Sequence, residues 1–327
     1  MKAAWFTEQG PADAVFNVGE MPDPAPGPGE VKVRVHASGV NPTDTYTRGG
    51  MRGQTMPFER IVPNQDGAGV IAAVGEGVSR ARIGERVWLY MAQWQRAFGT
   101  AAEYCALPAE RAVRLPDNCS FAEGACLGVP WLTAYYAVHC DGPVKGKTLL
   151  IAGGTGAVGY YAVQIAKLAG ARVIATVGSA QKSALAKAAG ADEVIDFRAE
   201  DVGARVQALT GGQGAERIVE SQFAKNAPLY PKLLAKKGTV IIYGAGGAEG
   251  TIPASWGIRN QPTLKFFIMY ELAPEWYARI ASDFTELQTA GRLKHLPVRE
   301  FPLERIAEAH QAVEKGNNGV RMVVTLP

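Results

Sequence analysis

A continuous apolar run, Thr148-Leu149-Leu150-Ile151-Ala152, leads directly into the turn Gly154-Thr155-Gly156-Ala157-Val158-Gly159. A strand with no polar alternation has no face to offer water, so it belongs in a parallel sheet covered on both sides. Behind the turn, from about Ala157 to Ala169, the residues Val158, Tyr161, Ala162, Ile165 and Leu168 recur at helical spacing. Gly170 then fits the left-handed position just past a helix end. In a chain with 38 glycines a Gly-x-Gly-x-x-Gly string alone means little. Between a buried strand and an amphipathic helix it is a phosphate cradle. Gly154 permits the tight turn, Gly156 lets backbone approach a pyrophosphate, and Gly159 lets the helix pack close to the sheet. The free N–H groups and positive dipole end of the helix complete an anion site.

The same rhythm continues. A strand is expected at Arg172–Val177, a helix at Gln181–Ala189 stopped by Gly190, and strands at Glu193–Ile195, Arg217–Glu220 and Thr239–Tyr243. Strands alternating with helices imply crossover connections and a doubly wound sheet. Leu264-Lys265-Phe266-Phe267-Ile268-Met269-Tyr270 adds an apolar run, and an amphipathic helix follows over about Glu275–Thr289. The stretch before about residue 120 differs in texture. Val31, Val33 and Val35 alternate with Lys32 and Arg34 as in a strand with one buried face. Four prolines within Met21–Gly29 remove backbone donors and require an extended loop. This part reads as an irregular β-rich domain, to which the terminal Met322-Val323-Val324 returns.

Composition narrows the class. Of 327 residues 47% are apolar and 20% charged, and 34 Lys plus Arg against 31 acids leave a net charge of only +3. That balance, with no long run of like charge, argues against nucleic acid as a partner. No stretch of about 18 apolar residues exists to span a bilayer, and the N-terminal apolar stretch is too short for a signal peptide. Cys105, Cys119, Cys126 and Cys140 match neither paired metal ligands nor a disulfide framework, so a reduced, cytoplasmic protein is expected.

The second strand selects among dinucleotides. A carboxylate about 20 residues beyond the turn would hold a ribose 2′-hydroxyl. Here the strand ends in Thr176-Val177-Gly178-Ser179, with Lys182 following. A carboxylate about 4 Å from a 2′-phosphate would oppose it by on the order of 4 kcal/mol at an effective dielectric near 20. Its absence, with Ser179 to donate and Lys182 to neutralise, favours NADPH.

Further stretches make the chain recognisable. His36-Ala37-Ser38-Gly39-Val40-Asn41-Pro42-Thr43-Asp44-Thr45-Tyr46, Asp66-Gly67-Ala68-Gly69-Val70, Gly128-Val129-Pro130-Trp131-Leu132-Thr133-Ala134-Tyr135 and Ala307-Glu308-Ala309-His310 resemble the zinc-independent quinone oxidoreductases, the zeta-crystallin type of the medium-chain dehydrogenase/reductase superfamily. The resemblance spans nearly the whole chain. It implies an α/β fold, a Rossmann doubly wound parallel-sheet domain over residues 125–270 and a β-rich GroES-like catalytic domain over residues 1–124 and 271–327. It implies a homodimer as well, with Leu264–Met269 pairing edge to edge.

Zinc-dependent members hold a catalytic metal at positions that correspond here to Asn41, Gln65 and Val129. Two amides and an apolar residue lack the anionic and imidazole donors that zinc prefers. The cysteine-bearing lobe for a structural zinc is missing between Val87 and Tyr104. No metal is therefore expected. The resemblance implies that Asn41, Asp44, Tyr46 and Thr133 approach the nicotinamide, and that Gly178, Ser179 and Lys182 hold the adenosine phosphate. It puts Tyr243, Gly244, Ala245 and Gly246, with Phe267 and Ile268, along the ribose and nicotinamide. A tyrosine near the adenine in relatives is Phe197 here. An arginine that some relatives place six residues beyond the histidine corresponds to Gly316, leaving Arg321 as the candidate to replace it.

Without a Lewis acid, carbonyl reduction is disfavoured, whereas a quinone or conjugated enone spreads the incoming charge onto its own oxygen. Asn41 and Tyr46 are the candidate donors to that oxygen, since an amide N–H and a protonated phenol both donate. Asp44 reads better as a helix N-terminal carboxylate or ribose ligand than as an acid catalyst. Trp88, Tyr90, Trp94 and Phe98 fit an acceptor pocket or core packing equally, and His36, His139, His295 and His310 read as structural.

Overall fold

The apolar run forms the strand Thr148–Ile151, and in the computed structural model it is an inner member of a sheet whose neighbours are all parallel. The structure describes residues 1–51, 55–316 and 319–327. Across the sheet the strands run Glu193–Asp196, Arg172–Val177, Thr148–Ile151, Ala215–Glu220, Leu234–Ile242 and Thr263–Phe266. Numbered by sequence this is the order 3-2-1-4-5-6 of a doubly wound dinucleotide fold. Its direction reverses beside Thr148–Ile151, the strand that feeds the glycine turn. Leu150, Ile174, Ile195, Ile218, Val240 and Ile242 bury together with Val206, Tyr230 and Trp256 to form the core on one face.

The helices expected beside these strands are present as Ala157–Leu168 and Ala180–Ala188, and each ends at a left-handed glycine, Gly170 (φ +83°) and Gly190 (φ +106°). The apolar run 264–270 is only partly strand. It leaves the sheet after Phe266, and Met269–Glu271 is a turn of 3₁₀ helix.

The β-rich part is built around the strand Glu30–Val40, in which Val31, Val33 and Val35 are wholly buried. It pairs antiparallel with Asp66–Val74, with Tyr104–Pro108 and with the terminal strand Arg321–Thr325. The expected return of the C-terminus to the first domain is therefore observed, in register Met322 to Val40. Residues 21–27 belong to no helix or strand. Contacts divide the chain into Met1–Val129 with Ala281–Pro327, and Pro130–Ile280. The resemblance implies borders at 124/125 and 270/271. The observed ones fall inside the helices Gly128–His139 and Pro274–Thr289, where no change of texture marks them.

Candidate active site

The nucleotide cradle follows from close packing around the turn. Gly153, just before the motif, adopts φ +72° and is the left-handed residue of the turn. Gly154 is needed for clearance instead, since a Cβ there would lie 2.7 Å from the Ala175 side chain. A Cβ on Gly159 would lie 2.1 Å from the Gly153 carbonyl oxygen, so the helix can approach the turn only with glycine there. Two bonds pin the turn to the adjacent strand: Gly153 N–H donates to Thr176 Oγ1 (3.0 Å) and Gly154 N–H to Thr176 O (2.8 Å). Gly156 caps the following helix and brings no side-chain acceptor. No side chain therefore caps the first-turn N–H groups of Ala157 and Val158, the donors a phosphate would take. These residues fit a dinucleotide.

At the end of the second strand, Ser179 caps the helix Ala180–Ala188, its Oγ accepting from Lys182 N–H at 3.4 Å. The hydroxyl hydrogen stays available to donate. Lys182 is half-buried one turn on, and Phe197, 51% exposed, lies against Gly178, where a Cβ would meet the ring at 2.9 Å. The loop of Tyr243, Gly244 and Ala245 is tied down by Tyr243 N–H to Glu220 O, Phe223 N–H to Gly244 O and Ala224 N–H to Ala245 O. Burial raises the Tyr243 phenol above its usual range. Phe267 sits between the rings of Tyr136 (4.7 Å) and Tyr243 (6.5 Å), while Ile268 is 37% exposed. Thr133 is buried in the helix Gly128–His139, and Thr155 in the turn.

The β-rich unit holds a second cluster. Asn41 precedes the helix Pro42–Gly49, which carries Asp44 in its first turn and the half-buried Tyr46 in its second. Asp44 accepts from Asn41 N–H (2.7 Å) and Gln65 N–H (3.1 Å), the capping role expected of it. Asn41 Nδ2 donates to Asp66 Oδ2 at 2.7 Å, and Asn41 Oδ1 accepts from Arg321 Nη2 at 2.7 Å. Val129 N–H donates to the same Asp66 oxygen at 2.8 Å. Asn41, Asp44 and Arg321 are candidates from the sequence, and the structure adds Asp66 to them. Its one signal was a lone acid opening the small-residue run Asp66-Gly67-Ala68-Gly69. Burial raises the Asp66 carboxyl to about 7, against the Val129, Asn41 and Arg321 contributions. Burial, then the charge of Asp66, raises Asp44 well above the ordinary carboxylate range.

Gln65 turns its amide to Gln93 Oε1 (3.0 Å), and Val129 brings only backbone to this cluster. Two amides and a valine do not fit a zinc ion, and among the described residues no three His, Cys, Asp or Glu side chains converge as metal ligands. Trp88 and Tyr90 are buried, Trp88 packing on Phe284 at 5.6 Å, while Phe98 is 43% exposed, so these aromatics divide between core and surface. Each histidine has a packing partner: His36 stacks on Phe121, His139 lies beside Tyr135, His295 meets Gln288 and His310 meets Asn64.

A dinucleotide fold in this strand order, together with a β-rich unit carrying an amide–carboxylate cluster, defines a medium-chain dehydrogenase/reductase, a class of oxidoreductases. Residues 27–117 match the alcohol dehydrogenase GroES-like domain, and residues 157–286 match the zinc-binding dehydrogenase family. The quinone oxidoreductase of Homo sapiens is 30% identical over 328 residues, covering 100% of this chain and 98% of its own. Among solved structures, an NAD-dependent alcohol dehydrogenase superposes with TM-score 0.90 at 31% identity, with full coverage of both chains. The Escherichia coli quinone oxidoreductase complexed with NADPH gives 0.88 at 25%, again over 100% of both. The CurK enoyl reductase gives 0.87 at 25%, over 100% of this chain and 99% of its own. The chain belongs to the quinone oxidoreductase family of the medium-chain superfamily.

Proposed function

We propose that this protein is a zinc-independent reductase that delivers hydride from NADPH to a quinone. The observation that carries the cofactor choice is the end of the second strand, where Gly178, Ser179 and Lys182 stand without a carboxylate. NADPH is the cofactor, and when bound it supplies the hydride. The N–H groups after Gly156 bind the pyrophosphate, with Gly154, Thr155, Gly156, Ala157 and Val158 forming the cradle. Gly178, Ser179, Lys182 and Phe197 take the 2′-phosphate and adenine. Tyr243, Gly244, Ala245, Phe267 and Ile268 line the ribose and nicotinamide, and Asn41, Asp44 and Thr133 complete that end. The second N–H of Asn41 Nδ2 and the hydroxyl of Tyr46 donate to the acceptor oxygen on which charge collects. The donor set at Asn41, Gln65 and Val129 supports chemistry without zinc, and so favours an acceptor that stabilises its own negative charge.

The protein acts as a homodimer in the cytoplasm; the unpaired edge at Thr263–Phe266 and four free thiols support these readings. Among the described residues no helix is long and apolar enough to cross a membrane.

The likeness to an enoyl reductase favours a second reading, reduction of an enone, enal or enoyl thioester. Following NADPH and NADH oxidation with 1,2- and 1,4-quinones beside enones and enoyl thioesters separates the two. Turnover of quinones with NADPH preferred is expected. Activity confined to thioesters overturns the quinone reading, and a preference for NADH overturns the phosphate site.

A further inference from the structure

Arg321 is a guanidinium only 3% exposed, and among the described residues no carboxylate lies within ion-pairing distance of it. Its Nε has no hydrogen-bond partner. A cation buried without a contact ion pair is unfavourable unless something uses its charge. Its short bond goes to Asn41 Oδ1 at 2.7 Å, with a longer one to Val40 O at 3.5 Å and a contact to the buried Cys126 thiol. On the other side of the same amide, Asp66, wholly buried, takes one Nδ2 hydrogen at 2.7 Å. A guanidinium only donates and a carboxylate only accepts, so the two partners allow the Asn41 amide a single orientation.

We infer that Arg321 and Asp66 are positioning residues that clamp the Asn41 amide and aim its remaining N–H at the acceptor oxygen. Arg321 does more than orient. A cation bonded to the amide oxygen draws charge from the nitrogen and makes the remaining N–H a stronger donor, since hydrogen bonds in series polarise one another. The permanent charge of Arg321 thus reaches the developing oxyanion through Asn41, whose amide oxygen takes the guanidinium's short bond. Asp66 also holds Val129 N–H (2.8 Å), which fixes the carboxylate against the first turn of the helix Gly128–His139. The inference rests on Asn41 being the donor proposed above.

A double-mutant cycle on kcat with a 1,4-quinone and an enone tests both statements separately. Asn41→Ala is expected to lower kcat by about 10²-fold, as loss of one oxyanion donor does. Arg321→Met is expected to lower kcat by roughly tenfold with the KM for NADPH unchanged, and Arg321→Lys to recover part of it. Arg321→Met/Asn41→Ala should be no slower than Asn41→Ala within about twofold, because both substitutions remove one device. Should Arg321→Met fail to fold by thermal melting, Asp66→Asn, which keeps the volume, carries the same cycle. An unchanged kcat in Asn41→Ala overturns the donor role itself. A large loss in Asn41→Ala with none in the Arg321 or Asp66 variant, or multiplicative losses in the double variant, overturns the clamp. A raised KM for NADPH at constant kcat in Arg321→Met would make Arg321 a cofactor contact instead.

Discussion

At the scale of single residues, His310 shows how burial sets a titration. It is wholly buried, its Nε2 faces Asn64 Oδ1 at 3.1 Å, and its Nδ1 has no partner. The facing amide oxygen is an acceptor, so Nε2 carries the proton and the ring is neutral. Burial, then the charge of Arg48, pushes the His310 pKa down to about 3 from 6.5. Between those values the unfolded chain binds a proton that the folded one refuses. Stability from this residue is therefore complete above pH 6.5 and drains as pH falls, by about 1.4 kcal/mol per unit. His310→Gln retains an N–H for Asn64 and does not titrate. From pH 7 to pH 5 the wild type should lose about 2 kcal/mol more than this variant in urea unfolding. Asp66, whose raised pKa acts with the opposite sign, is common to both and cancels. Equal losses would show that His310 is protonated in the fold.

Lys182 belongs to the same scale. Lys182→Ala should lower the NADPH-over-NADH preference in dissociation constants by about tenfold, or 1.4 kcal/mol. An unchanged ratio would remove it from the phosphate site. Both residues were visible in the sequence, but Asp66 was not. A carboxylate's role here comes from Asn41 and Val129, which lie 25 and 63 positions away in the chain, and no local pattern encodes such a meeting.

At the scale of elements, legibility followed the sequence pattern. The strand Glu30–Val40 alternates in burial over residues 30–36, so its period could be read. The helix Ala157–Leu168, although residues 159–166 are all buried, was marked by the glycine turn that opens it and the glycine that stops it. The helix Gly128–His139 was passed over. Its residues 131–135, 137 and 138 are all buried, and a helix apolar on every side has no period to detect. The glycine turn was legible as an element, whereas the left-handed φ at Gly153 was not, because only packing distinguishes Gly153 from Gly154. The same packing supports a paired prediction. Gly159→Ala drives a Cβ to 2.1 Å from the Gly153 carbonyl oxygen, so the turn must shift. Its melting temperature should fall despite the better helix propensity of alanine, and NADPH affinity should drop about tenfold or more. Gly257→Ala, in the helix Ala254–Asn260, meets nothing within 4 Å. That variant should instead gain about 0.5–1 kcal/mol. Thermal melts and NADPH fluorescence titrations check both, and a stabilised Gly159→Ala with normal affinity would show that the turn tolerates the displacement.

At the scale of the whole molecule, the alternation of strands and helices was enough to anticipate the doubly wound sheet, and the C-terminal apolar run was enough to return the chain to the β-rich part. Within one chain the last strand is paired on one side. Thr263–Phe266 bonds to Leu234–Ile242 on one side, and among the described residues it has no strand on the other. Phe266 is 60% exposed, Ile268 37% and, in the preceding helix, Ile258 78%. An open edge with apolar neighbours is a template for another strand, and a two-fold axis at that edge would join two sheets into one and cover the same residues in both copies. The lysine in this strand does not guard the edge, since Lys265 Nζ turns inward to Cys140 O at 2.9 Å. Sedimentation equilibrium at micromolar concentration should therefore return twice the chain mass of 34.8 kDa. Phe266→Asp together with Ile258→Asp puts like charges at the axis and should return the single mass while each chain still binds NADPH. A wild type that sediments as one chain, or a double variant that stays paired, would move the interface elsewhere.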